Sequence, residues 1–439
     1  MKNKILFYSV VVSFFSFYNY AHSLHDINLI GYLNNYDSLA RHTSSFINTL
    51  PQSLKINIFK TKRCSGKGLP ERHQKIIASG INLFNKQELK LLLAKGLHLS
   101  GISIYTDSWW HSNEWNNYKS VPNNSIKFAY CVVESTKVPK DIVEKFNKNF
   151  DAVIVVDEWF VDVCKNSGVT IPVFALPLAL DSDLNSLLSR PLKKKRNSPF
   201  TFGCSGLFSP RKNQTLLMRA FDQEFRDDQD VHLIIHGKSE RYFKKIEQLA
   251  RHLRHPGIKL FRKNLPRTEY ENFIANLSCY ALISKGEGFS ITPREALAAG
   301  VPCILSNNTG HKVICDANVV YSVASNIQEP TFIFVGNKLS KMDGMQFNCH
   351  IRDVRKALRD VYNNYENYLK RAQSGRDWAK KYLAENLKWR YLNLVNPKKV
   401  ILGSQNKITD DFFMTNSKAL FSKYQELCGK NAQYEILIK

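Results

Sequence analysis

At 439 residues the chain exceeds what one hydrophobic core ordinarily holds, so two domains are expected, and the 44% hydrophobic content is ample for both. Nine cysteines, odd in number and without a C-x2-C spacing, signal neither a disulfide framework nor a zinc site. The formal charge of +24 points to polyanions, whether nucleotide diphosphates, anionic lipid head groups or nucleic acid; with no zinc finger, RNA-recognition motif or heptad-bearing basic region, nucleic acid is set aside.

The amino terminus opens M-K-N-K, continues with an apolar run to Tyr18, and reaches small residues near Ala21 and Ser23. This is the pattern of a secretory signal peptide over residues 1–23, which predicts an exported or secreted protein. The alternative is an uncleaved membrane anchor over residues 5–21.

Ile27–Leu33 reads as a strand, followed by the polar loop Asn34–Ser38 and an amphipathic helix to about Leu50. Further strands are expected at Leu54–Phe59, Ile102–Tyr105, Ile126–Val133, Ala152–Val156 and Val173–Pro177, with helices such as Lys86–Leu93 and Lys140–Asn147 between them. Such alternation predicts a doubly wound α/β domain over residues 24–183. The segment D-S-W-W-H-S-N-E-W, Asp107–Trp115, offers rings that stack on a sugar or pack between domains. Asp181 and Asp183 form a single D-x-D, and His232 and His236 share one face of a strand; neither pair is read as a metal site.

The basic run Arg190–Asn197 reads as a solvated linker within residues 184–199, with an anionic membrane surface as its alternative partner. A second α/β domain is expected over residues 200–350. It opens at Phe200 with strand, loop and helix; Gly206 lies in the loop, and Arg211 and Lys212 stand at the helix start, where they could hold a diphosphate. Val231–Gly237 is a strand with Gly237 and Lys238 at its carboxyl end, the edge where ligands of open α/β sheets lie. Gly257–Phe261, the helix Pro266–Ala275, Ser278–Ile283 and residues 301–306 continue the alternation, with Cys303 and Cys315 read as core. After Ile333 the chain is expected to turn helical, with helices Arg352–Leu369 and Asp377–Leu394 and an unplaced tail within residues 351–439.

The densest signal is Ser284–Gly300, S-K-G-E-G-F-S-I-T-P-R-E-A-L-A-A-G. Gly286 and Gly288 flank Glu287 in a tight loop; Thr292 is a good N-cap and Pro293 suits the first helical position. Glu295, three residues after Thr292, fits a capping box, whereas Glu287 is poorly placed for a helix or a core and reads as a ligand-facing acid, with a solvated loop acid as the alternative. A helix N-terminus above a strand's carboxyl end favours an anion such as a phosphate.

Two glutamates eight positions apart in E-G-F-S-I-T-P-R-E-A-L-A-A-G-V-P resemble the E-x7-E signature of retaining glycosyltransferases of the GT-B fold, family four (glycosyl transferases group 1). That resemblance implies two Rossmann-like doubly wound domains with a helical C-terminal extension whose last long helix braces the first domain. It implies a hexosyltransferase-type transfer, with retained anomeric configuration, from a nucleotide-diphosphate sugar as co-substrate and with no other cofactor. By resemblance Glu287 faces the sugar hydroxyls, Glu295 bonds the ribose, and Lys212 with Arg211 holds the diphosphate. Leu207 stands where the family carries an arginine, a loss that Arg211 would have to make good. Gly206, Gly237, Gly288, Phe289, Ser290, Ile291 and Thr292 would line the donor, with His111 and Glu134 on the acceptor side. The acceptor, be it glycan, lipid or protein, is named by no motif. The alternatives are a nucleotide-sugar epimerase and a non-catalytic polyanion-binding protein on a degenerate scaffold. Sequons at Asn123, Asn213, Asn276 and Asn307 include two beside the donor site, which argues against residence in a compartment that N-glycosylates the chain.

Overall fold

The computed structural model describes residues 26–35, 38–62, 64–82, 84–106, 121–192, 198–237, 242–335, 338–395 and 411–428. The expected signal peptide, His111 with its tryptophans, residues 193–197 of the basic run, and Lys238 lie outside these residues. Among the described residues no helix is long and apolar enough to cross a membrane.

Seven strands build a parallel sheet: β1 (Ile27–Gly31), β2 (Ile56–Lys60), β3 (Ile81–Asn82), β4 (Ile102–Tyr105), β5 (Ile126–Cys131), β6 (Ala152–Val155) and β7 (Val173–Ala175), ordered β3-β2-β1-β4-β5-β6-β7. Strands such as Ala-Val-Ile-Val in β6 are buried on both faces, as continuous apolar runs in a helix-covered parallel sheet must be. Six more make a second parallel sheet: β8 (Phe200–Ser205), β9 (Val231–Gly237), β10 (Ile258–Arg262), β11 (Cys279–Leu282), β12 (Cys303–Asn307) and β13 (Tyr321–Ala324), ordered β10-β9-β8-β11-β12-β13. The expected strands occur within two residues of their expected bounds. The short β3 and β13 were not foreseen, since neither carries a long apolar run.

The stretch after Ile333 departs from its expected helical form. Ile327–Val335 (β14) and Lys338–Asn348 (β15) pair as a long antiparallel hairpin, and helix begins only at Ile351. Strand-favouring residues in T-F-I-F-V and pairing along the hairpin win there over any helical pattern. The two long helices expected downstream are each interrupted. Arg352–Leu369 divides at Asn364 into Ile351–Asn363 and Tyr365–Ala379, and Asp377–Leu394 divides at the extended Leu383, after which Ala384–Val395 is helical.

This helix crosses back onto the first domain, against helix Ala40–Thr49. The Tyr391 ring meets Phe46 edge-on at 4.9 Å, and its hydroxyl donates to Pro177 O at 2.9 Å. Part of the unplaced tail follows it: helix Asp411–Cys428 lies against β5, with the Tyr424 hydroxyl donating to Leu394 O at 2.6 Å.

Candidate active site

In the second sheet the strand order reverses between β8 and β11, so the loops leaving these two strands diverge from one point and form a crevice. The loop after β8 contains Gly206 and Leu207, turns once through Pro210–Lys212, and enters helix Gln214–Glu224 through Asn213 in a left-handed conformation, φ 56°. Ser209 Oγ accepts from the Lys212 backbone N–H at 3.3 Å, which closes the turn and presents Arg211 and Lys212 together. Gly206 lies against the Lys212 side chain, and Gly237, the last residue of β9, abuts Gly206 O and the Phe208 ring. Leu207 points outward, and Arg211 serves on the inner side.

The loop after β11 meets this one directly. Lys285 N–H donates to Arg211 O at 2.8 Å, and the Asn213 amide donates to Ile283 O at 3.2 Å. Glu287 is buried between them. Lys212 Nζ donates to both of its oxygens, at 2.7 Å and 2.8 Å, and Arg211 Nη1 lies 3.3 Å from Oε1. Burial alone would raise the pKa of this carboxyl, but Lys212 and Arg211 outweigh it and hold the group at about 2. Glu287 is therefore an anion with only acceptor oxygens.

A third loop, after β12, grips Glu287 by its backbone. The Glu287 N–H donates to Thr309 Oγ1 at 2.7 Å, and its carbonyl accepts from Gly310 N–H at 3.0 Å. The approach is so close that a Cβ on Gly310 would stand 1.7 Å from Gly288 O. His311 in the same loop is within hydrogen-bond distance of Ser290 Oγ at 2.8 Å and of Ser306 Oγ at 3.2 Å; burial pushes its imidazole down to about 4, so it is neutral at pH 7. Sequence reasoning missed Thr309 and His311. Their signal was positional: T-G-H follows β12, the neighbour of β11, at the same edge of the sheet.

The helix that carries the motif spans Ile291–Ala298, two residues earlier than its expected start at Pro293. Ser290, at φ 57°, occupies the N-cap position, and the expected cap at Thr292 does not form. Thr292 Oγ1 instead accepts from the Tyr280 hydroxyl at 2.6 Å. Nor does the capping box form, because Glu295 is drawn elsewhere. Its Oε1 accepts from Arg267 Nη1 at 2.7 Å and its Oε2 from the Tyr270 hydroxyl at 2.6 Å. Arg267 continues to Asp183 Oδ1 at 3.3 Å, which also pairs with Arg41 Nη2 at 2.8 Å. The D-x-D aspartate thus serves an arginine chain from the first sheet's domain to the motif, while Asp181 accepts from Ala384 N–H at 2.8 Å.

Arg294, between the two glutamates, is one of the largest fully buried side chains among the described residues. It donates to Phe289 O, to Ser290 O at 3.2 Å, to Asp157 Oδ2 at 3.2 Å and to the Tyr382 hydroxyl at 3.1 Å. Its guanidinium lies 3.8 Å from the centre of the Phe289 ring, which also packs edge-on against Tyr382. Phe289 is accordingly a packing residue under the motif by its ring, and Gly288 lies against Val132. Ile291 is half-buried at the first position of the helix.

From the first sheet, the loop after β5 brings Glu134 to the same place: its Oε1 lies 2.7 Å from Arg211 Nη2. The structure therefore gathers Lys212, Arg211, Glu287 and Glu134 into one cluster, with Glu295 on an adjoining network through Arg267 and Tyr270. Two cations beside a helix N-terminus at a sheet's switch point are equipped to receive a phosphorylated group.

Residues 188–330 match the family model of the glycosyl transferases, group 1, a stretch that contains Arg211, Lys212, Glu287 and Glu295. An uncharacterized protein, 356, of Sulfolobus islandicus rod-shaped virus 1 is 21% identical over 254 residues, which cover 54% of this chain and 66% of that protein. Among solved structures, Anabaena Alr3699/HepE in complex with UDP-glucose matches with a TM-score of 0.58 at 12% identity, over 84% of this chain and 99% of that one. TarM of S. aureus matches with a TM-score of 0.53 at 16% identity, over 73% of this chain and 60% of that one. The chain thus spans less than two thirds of the viral protein and of TarM. At such identities the likeness is one of fold, two Rossmann-like domains of the GT-B kind with a helical C-terminal region, and residues 188–330 are similar to the group 1 glycosyl transferases.

Proposed function

We propose that this group 1 glycosyl-transferase scaffold moves a sugar from a nucleotide-diphosphate donor to an acceptor hydroxyl, with retention at the anomeric carbon. The observation that carries the reading is the buried Glu287 carboxylate held by Lys212 and Arg211 at the switch point of the second sheet. Support comes from the family match over that segment and from Anabaena HepE, a structural neighbour in complex with UDP-glucose.

The reaction must stabilise a departing diphosphate and a sugar that becomes positively charged as the bond breaks. Lys212, Arg211 and the helix start at Ser290–Thr292 answer the first need. Glu287, anionic and fixed through its own backbone, accepts from the sugar hydroxyls and orients the ring. Glu295 takes the ribose: each of its oxygens has one donor already and retains a second lone pair for a ribose hydroxyl. Glu134, from the other domain, faces the reacting centre from the acceptor side. No enzymatic nucleophile is assigned, and attack from the face of the departing phosphate accounts for retention. Export through residues 1–23 belongs to the same reading, as does a glycan, lipid or protein acceptor.

The test is a panel of nucleotide sugars screened by thermal shift, then assayed for slow donor hydrolysis without acceptor. One donor is expected to stabilise the protein and to be turned over, with turnover lost in Glu287→Ala and Lys212→Ala. Tight, steeply salt-dependent RNA binding with no response to any nucleotide sugar would replace this reading with that of a polyanion-binding protein.

A further inference from the structure

Arg211 is divided between the two halves of the molecule. Its Nη1 reaches Glu287, while its Nη2 lies 2.7 Å from Glu134 Oε1 in the loop after β5. The backbone around this ion pair is fitted closely. Gly286, next to Glu287, sits against Glu134 O, where a Cβ would stand 2.4 Å away.

The β14–β15 hairpin, which belongs to neither large sheet, ties the same two loops together. Toward the first domain, Thr136 N–H donates to Met345 O at 3.2 Å and Met345 N–H donates to Thr136 Oγ1 at 2.9 Å. Ser135 Oγ is 2.8 Å from the buried Thr331 Oγ1 and donates to Asp343 O at 3.0 Å. Toward the second domain, Phe347 N–H donates to Lys285 O at 2.8 Å, and Lys285 pairs with Glu329. The hairpin is a bracket across the crevice, beside the Glu134–Arg211 ion pair.

We infer that Glu134 and the hairpin form a latch across the cleft, in which Glu134 occupies the guanidinium edge that a diphosphate must take, so that donor binding displaces Glu134 from Arg211. The inference rests on the donor reading above. Physically it follows from charge: with Glu134 in place, the two cations face two carboxylates, and an incoming diphosphate would meet Glu134 as a like charge across a half-buried space. Released from Arg211, the same carboxylate is left facing the acceptor side.

Calorimetric binding of UDP, GDP and inorganic pyrophosphate to the full chain separates the outcomes. Glu134→Gln keeps the side chain's size and removes its charge, so the latch predicts Kd lower by about tenfold for the diphosphate that binds. The double variant Ser135→Ala, Thr136→Val loosens the hairpin's hold without altering Glu134, and the latch predicts tighter binding there too. Equal or weaker binding by both, with Lys212→Ala still abolishing it, overturns the latch and leaves the donor reading standing. Failure of every diphosphate to bind any variant overturns both.

Discussion

Lys212 Nζ sits astride the Glu287 carboxylate, 2.7 Å from one oxygen and 2.8 Å from the other, although the two residues stand 75 positions apart. Each comes from the loop that leaves one of the two strands flanking the switch point, so the pairing is a product of sheet order. Its consequence is a buried anion that keeps its charge and a cation aimed into the crevice.

Lys212→Ala is expected to lower turnover by about 10²–10³-fold, the usual loss when one stabiliser of developing charge is removed. It also leaves Glu287 with Arg211 as its only ion-pair partner among the described residues. The double variant Lys212→Met, Glu287→Gln should recover much of the lost thermal stability and none of the turnover. Recovery of both would assign the pair to structure alone.

Three buried histidines and Glu287 should each withdraw stability as pH is lowered, in two separate windows. His42, His73 and His311 have pKa values pushed down to about 4, chiefly by burial, against about 6.5 when unfolded. Between those values the unfolded chain binds more protons, so stability present above about pH 6.5 is lost as pH falls toward 4, each histidine contributing on the order of 1–3 kcal/mol. Glu287, held at about 2 against about 4.3 unfolded, adds its loss only below about pH 4. Asp157, raised to about 6 by burial, works in the opposite sense over the upper window, so the histidine share is read by difference: between pH 6.5 and 4 the melting temperature of His311→Asn should lose less, or gain more, than that of the parent chain. An unchanged slope in that variant would remove His311 from the account.

Arg294→Met should destabilise the protein by about 3–5 kcal/mol in urea unfolding, because Asp157, whose carboxyl burial already raises to about 6, loses its buried cation and must take up a proton to stay buried. Pairing it with Asp157→Asn should cost less than the two single changes added together. Strict additivity would mean that the ion pair does not join the motif to the first domain.

Gly310→Ala forces the loop after β12 away from Gly288 O and with it the backbone that holds Glu287. A loss of about 1–3 kcal/mol and weakened nucleotide binding are expected. Wild-type donor affinity in a folded Gly310→Ala protein would show that this loop does not position the carboxylate.

Asn213, although part of a sequon, is buried and donates its amide to Ile283 O and to Asn348 Oδ1 at 2.8 Å. Produced in a cell that N-glycosylates its secreted proteins, active chain should therefore carry no glycan at Asn213. Mass spectrometry that found that site occupied on active protein would contradict the placement.

The two parallel sheets were legible from apolar runs four to seven residues long punctuated by glycine, proline and asparagine, since a strand covered on both faces leaves that mark wherever it occurs. The glycine loop around Glu287 was legible for the same reason, because backbone shape is a local property. Glu295 was harder. Its spacing from Thr292 suits a capping box, yet Arg267 and Tyr270, on a helix brought alongside by the fold, compete successfully for its carboxylate. The hairpin and the broken C-terminal helices escaped notice because pairing and packing there override weak local preference.

Local pattern by itself determined the alternation of strand and helix in two α/β units and singled out the acids and bases proposed to take a phosphorylated sugar. Which of those charges meet was decided only in three dimensions: Lys212 with Glu287, Glu134 with Arg211, and Arg294 with Asp157 across 137 positions. The reason is physical. Backbone conformation responds to near neighbours, whereas the attraction between two charges depends on their separation in space and on how much water is left around them, and both are set by the order in which the strands assemble.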